Sequence, residues 1–218
     1  MTNSQKMSNL PEMSDSPEAT NSEERYARFA ESYANGKIPW AAELPPPEVI
    51  AYVAEAAPGR GLDLGCGYGR TSIYLAQNGW HVDGVDFIPQ AIAEAKKRSA
   101  AAGVEEQTNF YVSPVTQLNF LSGPYDLAVD IGCMHNFADA ELDAYRDELT
   151  RLLVPGGIYL LFAHLHIETA ESTRWIKEQD LLNAFAQDFD LLHVEYGSTQ
   201  VADNPPWPSA WYRYQRRN

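Results

Sequence analysis

Between Gly61 and Gly69 the chain reads Gly-Leu-Asp-Leu-Gly-Cys-Gly-Tyr-Gly, a short apolar run with one acid that passes directly into three alternating glycines. A strand must end there. Glycines at 65, 67 and 69 permit positive φ and carry no side chain, so a ligand can lie against the backbone at the strand's carboxyl end. Arg70 to Asn78 then suits a helix, with Ile73, Leu75 and Ala76 apolar and Gly79 placed to stop it. His81-Val-Asp-Gly-Val-Asp86 reads as a second short strand closed by an acid 21 positions after Gly65.

That spacing lets the Asp86 carboxylate take the two hydroxyls of a ribose, with Phe87 beside it. A pyrophosphate-binding turn has glycine at the sixth position of its fingerprint, whereas the sixth position counted from Gly65 is Arg70. The early third glycine favours a nucleoside without phosphates. Asp63, inside the strand end, would repel a pyrophosphate and could receive a cationic amino group. These residues resemble the first motif of the class I S-adenosylmethionine (AdoMet)-dependent methyltransferases, acidic-x-Gly-x-Gly-x-Gly. The match is Asp63-Leu-Gly65-Cys66-Gly67-Tyr-Gly69, with Asp86 closing the second strand and Leu153-Val-Pro-Gly-Gly157 farther on.

The resemblance runs from about Tyr26 to the C-terminus. It implies a Rossmann-like α/β fold: a seven-stranded, mostly parallel sheet in the order 3-2-1-4-5-7-6, helices on both faces and strand seven antiparallel. The cofactor would be AdoMet and the product S-adenosylhomocysteine. Pro39-Trp40, with prolines following at 45 to 47, is similar to the opening of the halide/thiol branch, and thiopurine methyltransferases are a second small-molecule relative. Trp40 could then cap the sulfonium through its ring face.

At 218 residues the chain fits one domain, expected over 23–218 with lid helices at about 23–57. Residues 1–22 are rich in Ser, Asn, Pro, Glu and Thr without apolar periodicity and are expected to be disordered. With 16 basic and 30 acidic residues the net charge is −14, which opposes a nucleic-acid backbone. No run of 18 apolar residues occurs, and the first 25 residues lack the core of a secretory signal. The expectation is a cytoplasmic protein with a small-molecule partner, neither membrane nor nucleic acid. Two cysteines, Cys66 and Cys133, make no disulfide framework.

Tyr26, Phe29, Ala30 and Tyr33 recur at helical spacing, an aromatic stripe that either packs the core or covers the ligand. Glu48 to Ala57 and Gln90 to Ala102 read as further helices, and Thr108 to Val112 as strand three. Family members usually place an aspartate after that strand to hold the adenine amino group. Here stand Ser113, Pro114 and Val115, so adenine would be read by backbone groups, the Ser113 hydroxyl or Gln117. Tyr125 to Asp130 is strand four, Asp139 to Leu153 a helix and Ile158 to Ala163 strand five. Glu178 to Gln187 is a helix, and Phe189 to Tyr196 with Pro208 to Tyr214 an antiparallel pair.

Loops leaving the carboxyl ends of parallel strands meet over the glycine turn. Position therefore selects Asp130, Cys133 and His135 after strand four and His164 after strand five. Asp130 also counts as a cofactor contact, and the run 130–135 resembles the pattern Asp-x-Gly-x-x-His of small-molecule methyltransferases. His164 and His166 with Glu168 suggest a metal to a motif search, but they lack the fixed four-ligand geometry of such centres, and no metal is expected.

Methyl transfer from a sulfonium is an in-line displacement whose leaving thioether needs no proton, so positioning can carry most of the catalysis. An amine or hydroxyl acceptor would still need a base, for which His135, His164 or Asp130 could serve. A thiolate, halide or other soft anion would need none. Tyr26, Tyr33, Cys133, His135, His164 and Trp207 are the expected acceptor contacts. Two other classes stay open: a non-enzymatic AdoMet or nucleoside sensor, and an NAD-dependent oxidoreductase, which Arg70 disfavours.

Overall fold

The computed structural model describes residues 22–167, 175–200 and 206–218. The disordered segment expected at the N-terminus lies outside these, apart from its last residue, as does Glu168.

Short apolar strands with acids or glycines at their ends form β1 (Arg60–Leu64), β2 (His81–Asp86), β3 (Thr108–Val112) and β4 (Tyr125–Ile131). Longer ones follow as β5 (Leu153–His164), β6 (Phe189–Thr199) and β7 (Trp207–Arg216). They make one sheet in the order β3-β2-β1-β4-β5-β7-β6. β1 to β5 run parallel to one another, and β7 runs antiparallel to both β5 and β6. Order and direction match the expectation. β5 begins earlier than expected, because Leu153 already pairs with Tyr125 before the register shifts to Ile158 opposite Leu127. The Pro-Gly-Gly segment is taken up in that irregularity.

Side-chain alternation along the strands sends two apolar sets to opposite faces. Leu62, Leu64, Tyr159 and Leu161 pack with Tyr145 and Leu149 of α5 (Asp139–Leu152) and Leu181 and Phe185 of α6 (Glu178–Phe185). Val82, Leu127, Val129 and Leu160 pack with Val49 and Val53 of α2 (Pro47–Glu55) and Leu75 of α3 (Arg70–Gln77). α4 (Pro89–Ala101) adds Ile92 and Ala95 against Phe110 and Cys66.

α1 (Ser22–Ala34) lies outside these two layers. Its aromatic stripe meets residues next to the glycine turn: Tyr26 and Phe29 pack edge-on against Phe87, and Tyr33 against Tyr68. Arg25 fixes the start of the helix. Its guanidinium forks onto both oxygens of Glu141, one at 3.0 Å, and lies 4.9 Å over the Phe137 ring. The stripe is therefore a packing surface against residues next to the glycine turn.

Candidate functional site

All three glycines of the turn have positive φ: 72° at Gly65, 53° at Gly67 and 76° at Gly69. The strand-end amides of Gly65 and Cys66 both donate to the Val85 carbonyl, at 2.8 and 2.9 Å, which bends the chain across the end of β2. A Cβ at Gly67 would lie 3.0 Å from the Tyr33 hydroxyl, and one at Gly69 would lie 3.0 Å from the Phe110 ring. The turn is thus closely roofed, with Gly65 left exposed.

Asp86 sits where a ribose-binding acid is expected. The Gly67 amide donates to its Oδ2 at 3.0 Å and the Ile88 amide to its Oδ1 at 2.8 Å. Each oxygen keeps further acceptor capacity. Burial outweighs these two hydrogen bonds and pushes the carboxyl up to about 6. Asp63 is also buried: Oδ2 accepts the Ser72 amide at 3.0 Å and the Ser72 hydroxyl at 2.6 Å, and burial again raises the carboxyl to about 6.

A cleft of about 50 Å³ runs between the turn and the α1–α2 link, and Tyr33, Trp40, Asp63, Gly65, Gly67 and Arg70 are among its walls. The Trp40 indole donates to the Tyr33 hydroxyl at 3.3 Å, so the two residues close the roof together. Arg70, read above only as a missing glycine, is itself a cleft residue, and its guanidinium reaches the Leu44 carbonyl at 3.4 Å.

Acceptor residues expected from the sequence separate into two groups. Tyr26 and Tyr33 belong to the roof described above. His135, His164 and Trp207 come together at the ends of β4, β5 and β7, with Trp175 among them. Trp175 was missed because the stretch from 166 to 177 shows no periodicity; an isolated aromatic between strand and helix was the available signal. Cys133 joins the groups, since a Cβ at Gly65 would lie 2.7 Å from the Cys133 Cβ. Gly132 in turn packs against the His135 ring.

Several expected roles change. Asp130 is fully buried and accepts the Cys133 amide at 2.7 Å, the Met134 amide at 3.2 Å and the Tyr145 hydroxyl at 2.8 Å. Burial pushes its carboxyl up to about 7. These contacts make it a clamp that shapes the loop after β4. His135 Nδ1 accepts the His164 amide at 3.2 Å, which in the neutral ring places the proton on Nε2. The Ser113 hydroxyl serves its own turn, 3.0 Å from the Gln117 carbonyl and 3.2 Å from that of Pro114, and Val115 is buried in the core. Phe87 supports α1, and the Cys66 side chain packs with Ile92, Ala95 and Phe110. Burial holds the Cys133 thiol well above the usual thiol range, which leaves it a poor nucleophile.

A larger cavity, about 350 Å³, opens at the opposite, amino-terminal ends of β1 to β3. Asp83 in its wall is already taken, with Arg60 at 3.2 Å and the Tyr125 hydroxyl at 2.5 Å. In open α/β sheets ligands bind at the carboxyl ends, so the glycine cleft is the candidate site despite its smaller volume. Among the described residues, no group of three or more His, Cys, Asp or Glu could hold a metal, and no helix is long and apolar enough to cross a membrane.

Residues 62–157 match the family model described as a methyltransferase domain. An ajmaline N-methyltransferase of Rauvolfia serpentina is 27% identical over 127 residues, 58% of this chain and 43% of that protein. A 2-heptyl-1-hydroxyquinolin-4(1H)-one methyltransferase of Mycobacteroides abscessus is 28% identical over 140 residues, 64% of this chain and 61% of that one. The chain thus spans about half the length of these curated relatives. Among solved structures, the 1,6-didemethyltoxoflavin-N1-methyltransferase of Burkholderia thailandensis, with 1,6-didemethyltoxoflavin and S-adenosylhomocysteine bound, superposes with a TM-score of 0.71. It is 21% identical, with 94% of each chain covered. By domain match and strand order, residues 62–157 are similar to the methyltransferase-domain family, and the sheet has the fold of the class I methyltransferases among the solved structures.

Proposed function

We propose that this chain transfers a methyl group from AdoMet to a small-molecule acceptor that arrives already carrying a nucleophilic electron pair. The observation that carries the reading is the turn itself: side-chain-free backbone at Gly65 and Gly67, with the carboxylates of Asp63 and Asp86 buried at its two sides. The residues fit the cofactor's chemistry. Asp86 would hold ribose hydroxyls, Asp63 the ammonium group and Arg70 the carboxylate of the amino-acid end.

When bound, AdoMet supplies an electrophilic methyl: its carbon–sulfur bond breaks as the acceptor's bond forms, and the electron pair leaves on the thioether sulfur. The protein's part is to bind, align and exclude water. At about 50 Å³ the cleft is well below the roughly 300–1,000 Å³ usual for small-molecule sites, so Tyr33 and Trp40 must part to admit a ligand. The pinned start of α1 and the loop 35–46 would let the roof hinge while Arg25 stays on Glu141.

Asp130 is committed to its loop and His135 has its Nδ1 engaged, which leaves His164 as the remaining candidate base. This supports an acceptor of the soft or pre-ionised kind, a thiolate, a halide or a similar anion. Relatives whose names specify N-methylation or a hydroxyquinolone keep ring nitrogen and oxygen acceptors within the same reading. Incubation with methyl-labelled AdoMet and a panel of thiols, halides, hydroxyquinolones and N-heterocycles tests it: label should pass to at least one acceptor. A second reading, a nucleoside sensor without turnover, draws support from the adenine turn, where Ser113 spends its hydroxyl internally. Tight AdoMet binding with no labelled product from a metabolite extract would favour it.

A further inference from the structure

Leu165 bridges in parallel to Ile176, the His166 amide donates to the Ile176 carbonyl at 2.9 Å, and Ile176 is buried. The residue immediately before this anchor, Trp175, has φ 73°, in the left-handed region that a bulky residue rarely occupies. It is the only non-glycine among the described residues with positive φ. Backbone strain of this kind persists where surrounding contacts impose it, and it concentrates at ligand sites.

The contacts that impose it here are rings. Trp175 lies 4.5 Å from the His135 centroid, 4.7 Å from His164 and 5.6 Å from Trp207. An ordinary core anchor looks different: Trp80 is 1% exposed, whereas Trp175 and Trp207 are both only half buried. Two half-exposed indoles and two imidazoles thus form an aromatic wall, linked through Gly132 and Cys133 to the exposed edge of the turn at Gly65.

We infer that Trp175 is the specificity-determining residue of the acceptor site and that the acceptor is a flat aromatic ring bearing the nucleophilic atom, stacked against Trp175 and Trp207. This rests on the methyltransferase reading and narrows its acceptor class. An indole face offers a ring large apolar contact at little entropic cost, and offset or edge-on ring pairs gain beyond area alone. Aliphatic thiols and bare halides gain none of that. His135 and His164 lie against the indole, their ring centroids 4.5 and 4.7 Å from it.

The test uses the full chain saturated with S-adenosylhomocysteine and four probes: thiophenol, 1-hydroxyquinolin-4(1H)-one, 2-mercaptoethanol and iodide. Affinity is read by tryptophan fluorescence and by calorimetry in wild type, Trp175→Ala and Trp175→Phe. The expected result is that at least one aromatic probe binds tenfold or more tighter than both non-aromatic ones. Trp175→Ala should abolish that preference and Trp175→Phe should largely restore it, with S-adenosylhomocysteine affinity unchanged in both variants. Equal binding of aromatic and aliphatic probes, or a preference that survives Trp175→Ala, overturns the inference while leaving the methyltransferase reading intact. Failure of the wild type to bind S-adenosylhomocysteine at all overturns both.

Discussion

Gly65 and Cys133 touch so closely that a Cβ on the glycine would fall 2.7 Å from the cysteine Cβ and 3.0 Å from its sulfur. The first residue of the glycine turn and the loop after β4 therefore share one wall, and a ligand on the turn would lie beside the residues proposed to face an acceptor. Gly65→Ala should fail twice over, through contact with Cys133 and through its φ of 72°. We expect a loss of ~1–3 kcal/mol in stability, read by urea denaturation, together with lost cofactor binding. Cys133→Ala should keep both stability and activity to within about tenfold, because no covalent intermediate is required; loss of turnover with binding intact would restore a chemical role to the thiol.

Asp130 offers the sharpest contrast between a clamp and a base. Its carboxylate takes two backbone amides and the Tyr145 hydroxyl. Asparagine would present one oxygen and turn an amide group toward a donor. Asp130→Asn should cost ~1–3 kcal/mol of stability, the cost of leaving a buried donor unsatisfied. Tyr145→Phe should cost less. A base would instead show normal stability with a changed pH–rate profile.

Much of this architecture is legible in the residues alone. Glycine spacing, strand-end acids and apolar periodicity are local signals, and they place the strands, their order by resemblance and the turn with Asp63 and Asp86. What escapes is the direction in which a polar side chain spends its hydrogen bonds. Asp130 and Ser113 occupy positions that suit ligand contact, yet Asp130 accepts buried amides of its own loop, which are costly to leave unpaired, and the Ser113 hydroxyl donates to carbonyls of its own turn. Trp175 escapes for another reason: its place is fixed by the pairing of Leu165 with Ile176, a tertiary relation without a sequence period. Arg25 likewise looks like a surface cation until Glu141 is beside it.

That last pair gives a third expectation. Arg25 is 9% exposed at its side chain and Glu141 26%, and Glu141 also accepts the Ala138 amide at the start of α5. Arg25→Met should release α1 from α5, at ~1–3 kcal/mol after allowance for the solvent that reaches Glu141. Faster proteolytic cleavage within 22–40, and weaker binding of AdoMet from loss of the roof, are the readouts. Cleavage at the wild-type rate would show that the aromatic contacts alone hold α1.

The acids of the site set a pH dependence with a definite sign. Burial raises Asp63 and Asp86 to about 6 and Asp130 to about 7, above the ordinary carboxylate value of about 3.9. Folded-state values above the unfolded ones mean a stabilising contribution that is complete below about pH 4 and is lost as pH rises through 6 to 7. The ligand-free protein should thus lose this contribution between pH 4 and 7. AdoMet, a cation, selects the ionised forms, so its affinity should rise with pH up to about 7, by at most about tenfold per pH unit for each carboxylate that must ionise. Calorimetry from pH 5 to 8 reads it, and a flat profile would contradict the assignment of Asp63 and Asp86 to the ligand.

The most direct measurement is titration of AdoMet into the wild-type chain and into Asp86→Ala, with melting curves run alongside to confirm that the variant is folded. The account requires wild-type binding well below a millimolar dissociation constant, the upper end of ordinary substrate affinities. It requires the variant to be weaker by ~1.5–3 kcal/mol, about 10- to 100-fold. A wild type that binds nothing, or a folded variant that binds equally well, would contradict it.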